Sequence, residues 1–474
     1  MHMAFSMQRG HAALLLATAL CLLVGTGCER PPAPHDGPNV LLITIDTTRA
    51  DRLSCYGYSQ RTSTRLDSLA AEGTLFTHAV AQAAVTPVSH ATILTGQNPY
   101  THGLRVMHGL TVNRLRDSCV TLAELLGAAG YQTAAFVSAF PVTQRFGLHQ
   151  GFEMFDADFI IDGPKSLVSE NGVVNTGKNQ RRADVTTDRA LAWLTEARRP
   201  FCLWLHYFDP HDVKLLPPAE FVSAYPHAPG PLPDWLRAMY DVEIRYMDEQ
   251  IGRVLDALRQ SERLEDTIVV VVADHGEGLG DHDWWTHGIL YQEQIRVPLI
   301  LRGPSVPRGR KIDWLVRTTD IMPTMLELAG IDRARFPPMD GTSLVPLLAD
   351  GARDPGYLAY ADSINMLTYR FASGIEDEKN DMLFSLSDGT WKYIHHALRP
   401  VESELYNLRD DPRELDNLYS AHPEQVARLL GNLRARNCFP QRALEREPMS
   451  AEDLERLRAL GYITETRPGN ADQD

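Results

Sequence analysis

Residues Thr267–Glu277 read T-I-V-V-V-V-A-D-H-G-E, an unbroken β-branched apolar run that stops on an acid, an imidazole and a glycine. A short run with no polar residue on either face suits a strand buried on both sides, as in a parallel sheet covered by helices. A second such run, Asn39–Asp46 (N-V-L-L-I-T-I-D), also ends on an aspartate. Ligands of open α/β sheets sit beyond the carboxyl ends of the strands, so Asp46, Asp274 and His275 are expected on one edge. For either aspartate alone, a helix cap is the competing reading. Three such placements together favour a metal site.

The stretch Thr86–Gly96, T-P-V-S-H-A-T-I-L-T-G, adds a hydroxyl residue at the start of a short helix. With Thr86 as N-cap and Pro87 at the first helical position, the segment has good helix-start chemistry. Such a start presents N–H groups and a positive dipole end to an anion. By itself it reads as a capped surface helix. Beside Asp46, Asp274 and His275 it becomes a candidate nucleophile.

From Asn39 to about Ile331, apolar strand runs alternate with helical periodicity, the pattern of a doubly wound sheet. Buried strands are expected at Val40–Ile45, Thr133–Val137, Phe201–Tyr207, Thr267–Val272 and Val297–Leu301. Helices are expected near Thr62–Glu72, Ser89–Leu94, Thr121–Ala129, Ala183–Ala197 and Tyr240–Gln260. In the last, Met247, Ile251, Val254, Leu255 and Leu258 form a core-facing stripe. Ile161–Arg182 and Ala361–Asp381 lack a period and read as loops bordering a pocket. Beyond them, Trp391 and its neighbours, Glu404–Pro412 and Pro423–Asn437 predict a small α+β lobe, followed by a capped helix from Ser450 that ends near Gly461.

The net charge of −15 argues against general binding to nucleic acid or anionic membranes. The N-terminus departs from the soluble pattern. After Arg9 an apolar segment too short to argue for a membrane span runs to Gly25-Thr26-Gly27-Cys28, which resembles a bacterial lipoprotein signal with Cys28 as the lipidated residue. Gly25 stands where such signals usually carry Leu, so general signal-peptidase cleavage and a retained helix are alternatives. The expected organisation is a signal over 1–28, a Pro-rich tether over 29–38, a catalytic domain over 39–350, and a smaller C-terminal subdomain with a helical tail over 351–474. Export to the cell envelope with a lipid anchor follows as an expectation. Cys55, Cys119, Cys202 and Cys438 show no C-x-x-C spacing, and one or two disulfides remain open.

Six pieces in order carry a family resemblance: N-V-L-L-I-T-I-D-T-T-R-A-D from Asn39, T-P-V-S-H-A-T-I-L-T-G-Q-N-P-Y-T-H-G from Thr86, L-H-Y-F-D-P-H from Leu205, A-D-H-G-E-G-L-G-D-H from Ala273, Y-Q-E-Q-I-R-V-P-L-I from Tyr291, and E-L-Y-N-L-R-D-D-P-R-E-L-D-N-L from Glu404. Together they resemble the sulfatase branch of the alkaline phosphatase superfamily. The resemblance implies an α/β fold with a central mixed, mostly parallel sheet flanked by helices and a smaller C-terminal α+β lobe. It also implies a metal-dependent ester hydrolase.

The chain departs from the family at its chemical centre. Alignment back from Leu94-Thr95-Gly96 sets Thr86 at the family's formylglycine cysteine and His90 at its arginine; threonine cannot become formylglycine. The family's G-K-x-H segment is missing near Gly130, and its paired aspartates are Asp46-Thr47 here. Thr86, Ser89 and His90 instead match the T-x-x-N-H-x-T pattern of nucleotide pyrophosphatase/phosphodiesterases, where a metal-bound threonine attacks phosphorus. A threonine hydroxyl is a poor nucleophile until a cation ionises it.

The resulting expectation places one divalent cation, Zn²⁺, Mn²⁺ or Ca²⁺, on Asp46, Asp274 and His275 with the Thr86 oxygen. The Ser89 amides and hydroxyl would stabilise developing charge. By resemblance His211 is a leaving-group acid, and His287 stands where the family has an anion-binding lysine. Alternatively Asp209, His211 and His287 hold a second metal. His206, His282 and His102 stay open between site and structure, Arg49 and Asp51 between an ion pair and pocket lining, and Trp284 and Trp285 between core and substrate wall. The reaction expected is hydrolysis of a phosphate mono- or diester, or a sulfate ester, of a small molecule, glycan or lipid. A sulfatase working without formylglycine, and a binding protein for an anionic glycan or lipid that has lost turnover, are the alternatives.

Overall fold

The computed structural model describes residues 36–105, 107–108, 111–159, 167–169, 172–174, 179–211, 216–223, 232–364, 367–370, 376–379, 381–440 and 447–460. The signal with Cys28, most of the tether, parts of 161–182 and 361–381 and the end of the tail lie outside the described residues; where described, the two expected loops carry short antiparallel hairpins, Leu167–Ser169 with Gly172–Val174 and Leu367–Arg370 with Glu376–Lys379.

Eight strands form the central sheet: β1 (Asn39–Ile45), β2 (Thr74–Val80), β3 (Gln132–Val137), β4 (Met154–Asp156), β5 (Phe201–Tyr207), β6 (Thr267–Ala273), β7 (Arg296–Arg302) and β8 (Arg310–Arg317). Their order is β8-β2-β7-β6-β1-β5-β3-β4. All are parallel except β7, which runs against β6 and β2. The expected mixed, mostly parallel sheet is therefore present. β1, β5 and β6 are buried along their whole length, which explains their unbroken apolar sequences. β2 and β8 escaped the sequence reading because exposed positions at His78, Lys311 and Asp313 interrupt their apolar character.

Helices α1 (Thr64–Ala71), α2 (Thr86–Thr95), α3 (Leu122–Ala128), α4 (Ala183–Glu196), α5 (Leu232–Gln260) and α6 (Ile321–Leu328) flank the sheet. α3 starts with a reciprocal capping box between Thr121 and Glu124. α5 starts at Leu232 rather than Tyr240. Its first turns cover a separate small cluster in which Phe221 and Trp235 pack on Met239 and Val242. The predicted stripe from Met247 to Leu258 lies in the main core.

A four-stranded antiparallel sheet, β9 (Ala359–Ser363), β10 (Leu383–Ser387), β11 (Trp391–His396) and β12 (Glu404–Asn407), packs with α7 (Pro423–Ala435) as the smaller lobe. Two connections tie it to the sheet edge where the candidate site lies. Asp362 bridges to Ala83, and the Ser363 hydroxyl donates to the Gly288 carbonyl. Deeper, Lys392 and Glu414 form a fully buried ion pair at 2.6 Å, and Glu414 also accepts the Gln292 N–H at 2.6 Å. The tail helix α8 (Ala451–Ala459) begins with the Ser450 hydroxyl accepting the Asp453 N–H.

Cys55, Cys119, Cys202 and Cys438 are all free, so no disulfide forms among the described residues. Among those residues no helix is long and apolar enough to cross a membrane.

Candidate active site

Strand register assembles the site. Ile45 at the end of β1 pairs with Ala273 at the end of β6 and with Tyr207 at the end of β5. Asp46 and Asp274 therefore leave the sheet side by side, and Phe208 to His211 leave beside them. The loop from β2 then lays the start of α2 across this edge, with Thr86 fully buried.

Asp46, Asp274 and His275 each contribute one donor atom, all within 4.8 Å of one another. Burial holds both carboxyls well above the usual carboxylate range. Asp274 and Thr86 offset part of this at Asp46, whereas the neighbouring Asp46 charge adds to it at Asp274. Asp46 Oδ1 and Asp274 Oδ2 are buried without a hydrogen-bond partner. Two abutting carboxyls with unsatisfied inward oxygens are costly in a dry site unless a cation lies between them. His275 completes the group. Its Nδ1–H donates to the Gly276 carbonyl at 2.9 Å, which leaves an Nε2 lone pair 3.2 Å from the Thr86 hydroxyl. The donor set fits a divalent cation of borderline or oxygen-loving character.

The segment after β6 brings two more imidazoles toward this group. His287 donates from Nδ1 to the Ala84 carbonyl at 2.8 Å, so its Nε2 lone pair faces His211 Nε2 at 3.2 Å. The His287 ring also lies 4.3 Å from that of His275, and His211 stacks on Phe208 at 4.2 Å. Burial pushes His287 down to about 4 and His211 well below its ordinary value. The pair is therefore neutral and acts through N–H donors and ring lone pairs rather than as a cationic clamp.

Several expected roles change. Val85, not Thr86, occupies the N-cap position, and no side chain caps α2; the Thr86 hydroxyl turns to His275 instead. Ser89 is not available to developing charge, because its N–H donates to the Val85 carbonyl and its hydroxyl donates to the Asp274 carbonyl at 2.6 Å. It clamps α2 to the end of β6. One oxygen of Asp209 is taken up by the main chain. Its Oδ1 accepts the Ala183 N–H at 2.9 Å at the start of α4, and among the described residues Asp209, His211 and His287 form no group with donor atoms within 4.8 Å.

His90 lies beneath the site with both ring nitrogens engaged, so it does not reach a substrate. Nδ1–H donates to the Thr86 carbonyl at 2.7 Å, and Nε2 accepts from the Thr44 hydroxyl at 3.0 Å. Thr44 in turn accepts the Trp204 indole N–H at 2.9 Å. The Thr86 carbonyl can only accept, so it places the proton of the neutral His90 ring on Nδ1, and Nε2 must then accept from the Thr44 hydroxyl.

The open alternatives also resolve. His102 is a core residue bonded to Thr92 and the Leu104 N–H. His282 stacks on Tyr291 at 3.7 Å and donates to Glu293 and to the Glu414 carbonyl. Trp284 is core, whereas Trp285 lies under Arg237. Arg49 and Asp51 form a bidentate pair and also line a cleft of about 570 Å³ that does not include Thr86. Of two buried groups beside the site, Glu277 went unread in the sequence and His206 was left open there. Glu277 faces both Asp46 and Asp274, and burial pushes its carboxyl well above its ordinary value. His206 reaches Asp46 at 3.2 Å. A histidine on an otherwise apolar buried strand, alternating with Trp204 and Phe208, is the signal that could have marked it.

The profile described as Sulfatase matches residues 38–331, and that described as N-sulphoglucosamine sulphohydrolase, C-terminal, matches residues 280–436. An N-acetylglucosamine-6-O-sulfatase of Bacteroides thetaiotaomicron is 25% identical over 513 residues, covering 87% of this chain and 88% of that protein. Among solved structures, a 2-O GAG sulfatase aligns with a TM-score of 0.68 at 23% identity, covering 92% of this chain and 99% of the other. The phosphonate monoester hydrolase of Agrobacterium radiobacter aligns with a TM-score of 0.63 at 23% identity, covering 84% and 96%. At that identity the two structures establish a shared fold. With a family profile spanning well over half of the chain, this protein belongs to the sulfatase family of the alkaline phosphatase superfamily and is an ester hydrolase.

Proposed function

We propose that the protein is an exported, lipid-anchored, metal-dependent hydrolase that cleaves phosphate or sulfate esters through Thr86, with phosphate esters favoured. The observation that carries this reading is the Thr86 hydroxyl, buried 3.2 Å from the Nε2 lone pair of His275 beside the paired Asp46 and Asp274. Asp46, Asp274 and His275 would hold one divalent cation with the Thr86 oxygen alongside. When bound, such a cation would supply Lewis acidity, favouring the ionised hydroxyl and a polarised ester oxygen.

The chain's own groups do the rest. His90 holds the Thr86 backbone from below, and Ser89 fixes α2 against β6. His211 and His287 meet at their Nε2 atoms, so the His211 N–H is the donor of the pair, the one that would turn to the leaving oxygen of the ester. The Thr86 oxygen forms a bond to phosphorus as the bond to the leaving oxygen breaks; that oxygen takes up a proton from His211, and the proton released by the Thr86 hydroxyl restores His211 through water. Water then breaks the Thr86–phosphorus linkage and restores the hydroxyl, so ester and water become alcohol and phosphate. Sulfur is the less favoured centre, because a sulfated threonine must be released by a second displacement whereas a hydrated aldehyde expels sulfate by elimination.

The sulfatase reading has its own support in the named relatives, among them a 6-O-sulfatase. A sulfated glycan or small molecule is the corresponding substrate class, and a phosphorylated glycan or lipid is the counterpart for phosphorus. The decisive assay compares aryl phosphate monoester, aryl phosphodiester and aryl sulfate turnover by wild type and Thr86→Ala, with bound metal measured. Turnover of a phosphate ester, lost by more than about 10³-fold in Thr86→Ala, is expected. Equal rates for the two proteins sink the nucleophile. Binding of an anionic ester without turnover in saturating Zn²⁺, Mn²⁺ or Ca²⁺ favours a binding role. For the anchor, Cys28→Ser moves the protein from the membrane to the soluble fraction.

A further inference from the structure

We propose that His206 is a positioning residue that locks the Asp46 carboxylate so that Oδ1 is offered to a divalent cation. This rests on the reading of Asp46 as a cation ligand. His206 is fully buried, one residue before the end of β5, and stands opposite Thr44 in the register with β1. Both of its ring nitrogens have fixed partners. Nδ1 accepts the backbone N–H of Ser138 at 3.3 Å, where β3 ends beside β5. A backbone N–H can only donate, so the ring proton resides on Nε2. From there it donates to Asp46 Oδ2 at 3.2 Å.

The consequence falls on the other oxygen. Asp46 Oδ1 is buried with no hydrogen-bond partner, so the imidazole fixes which lone pairs remain for a metal and removes the freedom of the carboxylate to turn over. His275 is held in the same manner by the Gly276 carbonyl. The two ligands are thus each oriented by a main-chain group, His275 directly and Asp46 through His206. Packing reinforces the arrangement, since the His206 ring meets His90 edge-on at 5.0 Å. Outer partners of this kind typically contribute about 10 to 100-fold in metal affinity or activity.

Two amide side chains separate the bonds of this ring. Asparagine places an acceptor near the position of Nδ1 and keeps the Ser138 bond, but does not reach Asp46. Glutamine places an N–H near the position of Nε2 and keeps the Asp46 bond. Mn²⁺ is titrated calorimetrically into the chelator-stripped full chain of wild type, His206→Asn, His206→Gln and Asp46→Ala, with metal-free melting recorded for each. Expected are one Mn²⁺ bound by wild type, affinity about 10 to 100-fold weaker for His206→Asn, affinity within a few-fold of wild type for His206→Gln, and no binding for Asp46→Ala. Equal affinities for the Asn and Gln variants overturn the positioning role while leaving the metal site standing. Unchanged binding in Asp46→Ala overturns the metal site, and the positioning role with it. Should His206→Asn lose its thermal transition, His206→Phe, which fills the ring's volume without either bond, takes its place.

Discussion

Asp46→Asn should stabilise the metal-free protein while destroying its response to metal. The side chain is nearly isosteric, its carbonyl oxygen can still accept from His206, and its amide can donate to the unpartnered Oδ2 of Asp274. Burial raises the folded-state values of both acids, so the native protein binds more protons than the unfolded chain near neutrality. Metal-free stability therefore falls as pH rises from the ordinary carboxylate range toward those raised values. At 4.8 Å, the widest separation of the donor atoms, two unit charges repel by about 3.5 kcal/mol at an effective dielectric of about 20. A proton retained between the pair reduces the repulsion, and a gain of about 1–3 kcal/mol at pH 8 is expected, or roughly 2–6 °C in Tm. Scanning calorimetry of chelator-treated protein, repeated with Mn²⁺, reads both effects. Wild type should gain stability with the metal and the variant should not. A metal-free variant that melts below wild type, or that keeps the Mn²⁺-dependent rise, refutes the picture of two carboxyls held against each other for a cation.

Lys392→Met leaves Glu414 buried and unpaired, so a loss of about 3–5 kcal/mol is expected in urea unfolding. Because Glu414 also holds the Gln292 N–H, turnover should become heat-labile before the fold is lost. His396 donates to Asp381 and Glu404, and although burial lowers its value, those two carboxylates raise it above the ordinary histidine range overall. A raised folded value gives stability that is fully present below about pH 6.5 and lost as pH rises through the folded value. His396→Gln should therefore flatten the Tm profile from about pH 6 upward; an unchanged slope removes His396 as its source.

Much of the sheet was legible because β1, β5 and β6 are buried on both faces, so no surface pattern dilutes their apolar character. The same reasoning failed for β2 and β8, whose partly exposed faces resemble loops in a single sequence. At the site, Asp46, Asp274, His275 and Thr86 could be grouped in advance, because strand ends and helix starts have sequence signatures. Ser89, His90 and Asp209 could not be assigned the same way. Each carries a chemically capable side chain, and only the fold reveals its partners: the Asp274 carbonyl for Ser89, Thr44 with the Thr86 carbonyl for His90, and the Ala183 N–H for one oxygen of Asp209.

The division has a physical basis. Residue identity by itself determined which chemistry is available: a threonine that cannot become formylglycine, two strand-end acids, and strands too apolar to lie anywhere but the centre of the sheet. Tertiary structure decided which groups still have lone pairs and protons to offer. Hydrogen bonds are directional and saturable, and the partners that consume them come from residues distant along the chain. Asp46 and His206 are 160 positions apart, yet strand register sets one against the other.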